Sequence, residues 1–123
     1  MTTNVLVVDD STVSRKMLIR ALPSDWEINL SQAANGLEAL AQYHEGKADV
    51  MFLDLTMPEM DGYQVLETLQ KEGLDTFVIV VTADIQPEAE QRVRKLGAMG
   101  FVKKPVSTAK ITEILKEYGI IES

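Results

Sequence analysis

A chain of 123 residues without cysteine has the length of one domain and offers neither a disulfide framework nor a thiolate metal site. Its formal charge of −7 argues against the phosphate neutralisation on which nucleic-acid binding rests, and no apolar run approaches the roughly 20 residues that span a bilayer. With no leader evident at Met1-Thr2-Thr3-Asn4, the expectation is a soluble, cytoplasmic protein with no nucleic-acid or membrane partner.

The first element is the run Val5-Leu6-Val7-Val8, continuously apolar and β-branched, as in a strand buried on both faces. Asp9 and Asp10 follow it, and Asp10 or Ser11 can cap a helix whose apolar face comprises Val13, Met17, Leu18, Ala21 and Leu22. Glu27-Ile28-Asn29-Leu30-Ser31 is a weaker, alternating strand, which suits a place nearer a sheet edge. Asn35-Gly36 opens a second helix with Leu37, Leu40 and Ala41 on its apolar side. Val50-Met51-Phe52-Leu53 is the third strand and runs into Asp54. Asp61-Gly62 opens a helix carrying Val65, Leu66 and Leu69, and Gly73 is placed to end it. Phe77 to Val81 form the fourth strand, followed by Thr82-Ala83, and Ala89, Val93 and Leu96 mark the next helix, ended by Gly97. Gly100-Phe101-Val102-Lys103 is the last strand, followed by Lys104-Pro105, and Ser107 caps a helix with Ile111, Ile114, Leu115 and Tyr118.

Five strands alternating with five helices imply an α/β fold with a parallel sheet covered on both faces. In such sheets ligands bind beyond the carboxyl ends of the strands. Those ends carry Asp9, Asp10, Asp54, Thr82 and Lys104. Alone, each has an ordinary role: a cap for Asp9 or Asp10, a turn for Asp54, a backbone-bonded hydroxyl for Thr82, a solvated cation for Lys104. Together they make a site. Three crowded carboxylates repel until a cation relieves them, and hard oxygen ligands without Cys or His suit Mg²⁺. Beside that cation and opposite Lys104, Asp54 has the setting of a nucleophile toward phosphorus.

Four stretches resemble the response-regulator receiver domain of the CheY-like kind across the whole chain, residues 1–123, with no effector domain expected. They are Val7-Val8-Asp9-Asp10-Ser11, Leu53-Asp54-Leu55-Thr56-Met57-Pro58-Glu59-Met60-Asp61-Gly62, Val81-Thr82-Ala83, and Gly97-Ala98 leading to Lys103-Lys104-Pro105. The resemblance implies a flavodoxin-like three-layer sandwich with strand order 2-1-3-4-5, carried over with the family. It implies that Asp54 is the phosphoacceptor. Asp10 and Asp54 then bind Mg²⁺ directly, with Asp9 nearby and the carbonyl of Thr56 as a further ligand. Thr82 corresponds to the switch hydroxyl, Lys104 to the lysine that meets the phosphoryl group, and Phe101 to an aromatic rotamer switch. Thr56 and Asp84 fall where the family tunes phosphoryl lifetime, and the Lys104-Pro105 bond is a candidate cis peptide.

The implied partners are a sensor histidine kinase or phosphotransfer protein as donor, and a protein target on the face of the fourth helix, fifth strand and fifth helix. That face is expected to present Gln86, Glu90, Arg94, Lys95, Lys110 and Lys116. The resemblance suggests chemotaxis as the pathway and a monomer that dimerises weakly when phosphorylated. Two other readings share the nucleophile. One is a phosphate sink or relay shuttle with no output. The other is an aspartyl phosphatase, disfavoured because Thr56, not an acid, stands two residues after Asp54. The protein is thus expected not to be an enzyme, beyond assisting its own phosphorylation and dephosphorylation.

Overall fold

Each apolar run becomes a strand and each amphipathic stretch a helix in the computed structural model, which describes residues 2–83 and 86–122. The order is β1 (Thr3–Val8), α1 (Thr12–Ala21), β2 (Ile28–Ala33), α2 (Gly36–His44), β3 (Val50–Leu53), α3 (Gly62–Lys71), β4 (Phe77–Thr82), α4 (Pro87–Lys95), β5 (Gly100–Lys103) and α5 (Thr108–Glu117). The strands form one parallel sheet in the order β2-β1-β3-β4-β5, the flavodoxin-like arrangement.

Strand side chains alternate between two cores. Leu6, Val8, Met51, Leu53, Val78 and Val80 meet α2, α3 and α4, while Val5, Val7, Phe52, Ile79, Val81 and Val102 meet α1 and α5. Both faces are therefore dry, which is why these runs are continuously apolar. The caps fall where the sequence suggests. Side-chain oxygens of Ser11, Asn35, Asp61 and Ser107 accept from backbone N–H groups of the first turns of α1, α2, α3 and α5, and Asp61 with Gln64 forms a reciprocal capping box.

Two helix faces differ from expectation. In α1 the buried residues are Leu18 and Ala21, whereas Val13 is 67% and Met17 49% exposed. Ten residues bury one stripe, here Leu18 and Ala21 with Ser14 partly covered beside them. The Val13–Met17 stripe is one residue, about 100°, away and faces outward. In α2 the inward stripe is Gly36, Ala39 and Leu40, so Leu37 and Ala41 are exposed. The cause is a close approach: a Cβ at Gly36 would lie 2.6 Å from the carbonyl oxygen of Met60, so α2 must turn its glycine toward that loop. Strand β2 also starts one residue later than the apolar pattern suggests and runs on to Ala33, because pairing with β1 continues to Val8↔Ala33 and the Ala33 methyl is buried. It is the edge strand anticipated from its alternation.

Candidate functional site

The parallel register brings the carboxyl ends of β1, β3, β4 and β5 to one rim, with Val8 opposite Leu53 and Thr82 opposite Lys103. The backbone holds the rim directly. The Asp54 N–H donates to the Val8 carbonyl at 3.0 Å, the Asp9 N–H to Ala33 at 3.1 Å, and the Lys104 N–H to Thr82 at 2.8 Å. Asp9, Asp54 and Thr82 are the polar residues buried among the described ones, and Asp10 is exposed.

Asp9 is tied down. Its Oδ1 accepts the Ser11 N–H at 2.9 Å, its Oδ2 accepts from Lys104 Nζ at 2.9 Å, and its carbonyl accepts from Arg15 at 2.6 Å. Lys104 Nζ lies 3.7 Å from Asp54 Oδ1. One carboxylate oxygen from each of Asp9, Asp10 and Asp54 can come within 4.8 Å of the others. These are hard oxygen donors around one point, and among the described residues Lys104 is the one cation paired with them, so the donor set fits Mg²⁺.

Burial pushes the Asp54 carboxyl from its ordinary 3.8 up to about 6, helped by the neighbouring charge of Asp9. Lys104 and the backbone N–H groups of Thr56 and Leu55 oppose the rise without cancelling it. Asp54 is therefore an ionised but poorly solvated carboxylate at neutral pH, the state suited to a nucleophile. The Lys104–Pro105 peptide is cis, as anticipated.

Comparison with known proteins gives the family. A model described as the response regulator receiver domain matches residues 5–116. The chain belongs to the response regulator receiver family. It is 36% identical to the chemotaxis protein CheY of Listeria monocytogenes over 114 residues, covering 92% of this chain and 95% of that one. It is 33% identical to the sensor histidine kinase RcsC of Escherichia coli, covering 94% of this chain but 12% of that protein, so the same unit also occurs inside larger signalling proteins. Among solved structures, CheY in the CheX–CheY–BeF3–Mg²⁺ complex from Borrelia burgdorferi superposes with a TM-score of 0.85 at 31% identity, covering 97% of this chain and 90% of that one. This receiver is of the CheY-like type that serves phosphoacceptor signalling.

The structure brings Asp9, Asp10, Asp54, Thr82 and Lys104 to one rim. Thr56 follows Asp54 by two residues with its side chain exposed, and Asp84 lies outside the described residues. Phe101 is half-buried on β5, opposite Val80 in register. A groove of about 420 Å³ lies between α4 and α5, lined by Glu90, Phe101, Lys103, Lys110, Glu113 and Ile114. Lys116 is not part of it: one helical face away, it lines a separate hollow with Thr3 and Trp26. Sequence reasoning missed Arg15, whose signal was its place in the first turns of α1, where long side chains lean back toward the preceding loop. It also missed why Gly62 is glycine: a Cβ there would lie 2.4 Å from the Asp54 carbonyl oxygen. No described helix is long and apolar enough to cross a membrane.

Proposed function

We propose that this receiver is a phosphorylation switch in which Asp54 accepts the phosphoryl group of a phosphohistidine on a sensor histidine kinase or phosphotransfer protein. The observation that carries it is the buried Asp54 carboxylate, raised to about 6, on one rim with Asp9, Asp10, Thr82 and Lys104. An Asp54 oxygen attacks phosphorus, the P–N bond to the donor imidazole breaks, and its electron pair stays on the ring nitrogen. The product is an aspartyl phosphate. Asp9, Asp10, Asp54 and the Thr56 carbonyl would hold Mg²⁺, which when bound supplies positive charge to the crowded carboxylates and phosphoryl oxygens. Likeness to a CheY solved with BeF3 and Mg²⁺ supports this assignment.

Lys104 then exchanges part of its contact with Asp9 for a phosphoryl oxygen, and the Thr82 hydroxyl donates to another. Movement of Thr82 opens space that Phe101 fills, which reshapes the groove between α4 and α5 for a protein target. Arg94 anchors α4 beside this groove, with Nε on Glu90 at 2.9 Å and Nη1 on the Met99 carbonyl at 3.0 Å. The donor docks on the exposed apolar side chains of Val13 and Met17, near the mouth of the site with Pro105. Thr56 and Asp84 tune phosphoryl lifetime. The protein acts in the cytoplasm as a monomer that dimerises weakly when phosphorylated, not as an enzyme on free substrates. Its similarity to chemotaxis proteins supports chemotaxis as the pathway.

Intact mass after incubation with acetyl phosphate tests the chemistry. A labile phosphoryl adduct that requires both Mg²⁺ and Asp54 is expected. An adduct that persists in Asp54→Asn, or none in folded wild type with Mg²⁺ bound, would remove Asp54 from the centre of the mechanism.

A further inference from the structure

Arg15 is held at three points by one guanidinium. Nη1 donates to the Asp9 carbonyl at 2.6 Å, Nε to Gln32 Oε1 at 2.9 Å, and Nη2 to Thr12 Oγ1 at 3.3 Å. Gln32 lies on edge strand β2 and is itself anchored, its carbonyl accepting from Gln42 Nε2 of α2 at 2.6 Å. The arginine thus ties the loop after β1 to a braced part of the sheet edge.

What that loop carries gives the contact a consequence. The Asp9 carbonyl belongs to the same planar peptide unit as the nitrogen and Cα of Asp10. Fixing the direction of that carbonyl fixes where the Asp10 side chain begins. Asp9 has further restraints in Ser11 and Lys104. Asp10 is exposed, and its carboxylate makes no hydrogen bond or ion pair among the described residues. Its aim toward Asp9 and Asp54 is set by the backbone alone.

We propose that Arg15 is a positioning residue that, by clamping the Asp9 carbonyl to Gln32, aims Asp10 into the three-carboxylate cluster and sets its affinity for a divalent cation. This deepens the phosphoacceptor function above and rests on it. The planar fork is essential, because a lysine ammonium does not reach three acceptors in this arrangement. A purely electrostatic role makes the opposite prediction. The charge of Arg15 repels a cation, so its removal would tighten binding and a lysine would leave it unchanged.

The test is calorimetric titration of Mg²⁺ near neutral pH into wild type, Arg15→Ala, Arg15→Lys, Gln32→Leu and Asp10→Asn, each first shown to unfold cooperatively. Loss of an outer partner of a metal site weakens affinity by roughly 10-fold or more, so about a tenfold weakening is expected in both Arg15 variants. Gln32→Leu should move the same way by a smaller factor and keeps the test open if the Arg15 variants do not fold. The Mg²⁺ concentration that half-saturates phosphorylation by acetyl phosphate should rise by the same factor as the weakening seen by calorimetry. Wild-type or tighter binding in the Arg15 variants, or in Gln32→Leu if those do not fold, overturns the proposal even where Asp10→Asn weakens binding and the metal site stands. Mg²⁺ binding that does not depend on Asp10 overturns the metal site and the proposal together.

Discussion

The ammonium of Lys104 lies 2.9 Å from Oδ2 of Asp9 and farther, 3.7 Å, from Oδ1 of Asp54, so in the unmodified protein it is first the counter-ion of Asp9. Both partners are largely withdrawn from solvent, with side chains 27% and 8% exposed. Breaking such a pair from one side leaves a carboxylate buried without its counter-ion.

Lys104→Ala should therefore lose about 2 kcal/mol of stability without metal, somewhat less than a fully buried pair because the lysine is partly solvated. Millimolar Mg²⁺ should stabilise this variant more than wild type, since no ammonium then competes for Asp9. Urea unfolding with chelator and with Mg²⁺ measures both effects. Equal stabilisation of the two proteins by Mg²⁺ would show that Lys104 and the cation do not share Asp9.

Asp54 gives stability a pH dependence of determined sign. Its pKa is raised from 3.8 to about 6 on folding, so between those values the native state holds more proton than the unfolded chain. The corresponding stability is fully present below about pH 4 and is lost as pH rises through about 6. Taken in full the shift is worth about 3 kcal/mol, and screening at the solvent-facing rim reduces it to roughly 1–2. In chelator, Asp54→Asn should match wild type near pH 4 and exceed it by that margin above pH 7. Thermal melts across this range decide it, and a variant less stable than wild type at neutral pH would contradict the burial assigned to Asp54.

Most of this architecture was legible because burial on both faces leaves an unbroken apolar run, and the polar residues stand immediately after those runs. Asp9, Asp54, Thr82 and Lys104 could thus be placed on one rim from their positions in the chain. The inward faces of α1 and α2 were less legible. Val13 and Leu37 are apolar yet 67% and 55% exposed, since hydrophobicity marks a candidate stripe while the approach of neighbouring backbone selects one. For α2 that selection is made by Gly36 against Met60, a contact remote in sequence. Arg15 was legible only in part: its place in the first turns of α1 points it toward the preceding loop, but its partners Asp9 and Gln32 meet only once β2 pairs with β1.

Gly62, the first residue of α3, sits directly against the backbone that follows β3. A methyl there would lie 2.4 Å from the Asp54 carbonyl oxygen and 2.8 Å from Leu55 Cα, both backbone atoms that cannot swing aside. Gly62→Ala should cost about 2 kcal/mol by overpacking and displace the Asp54 backbone. Phosphorylation by acetyl phosphate should fall at a temperature where the variant remains folded. Gly119→Ala, where the added methyl has nothing within 4 Å but the backbone stands at φ +72°, is the control that costs stability through backbone strain away from the site. An unchanged rate in folded Gly62→Ala would mean that the loop shifts without moving the acceptor.

Phe101 packs against the core on the α4 side and also lines the groove beside α5. Phe101→Ala should leave the phosphorylation rate at Asp54 near wild type, because Phe101 does not line the hollow at the carboxylate rim. It should reduce the gain in target affinity that phosphorylation produces. Titration of a target with both forms of both proteins separates the effects. Equal gains in mutant and wild type would take Phe101 out of the switch.

Val13 and Met17 allow the protein donor to be separated from the chemistry. They form one exposed apolar stripe on α1, and Met17 also lines a hollow with Asp9, Asp54, Lys104 and Pro105. An apolar stripe beside a charged rim can exclude water around a transferred group and hold a partner in register, while a small donor needs neither. The double variant Val13→Ser, Met17→Ser should remain as stable as wild type within about 0.5 kcal/mol, since both side chains are largely solvated. Phosphotransfer from a phosphorylated histidine phosphotransfer protein should slow by at least roughly tenfold, as befits loss of central apolar contacts. The rate with acetyl phosphate should not change. A parallel fall in both rates would place these residues in the support of the site, and no fall in either would move the donor surface away from α1.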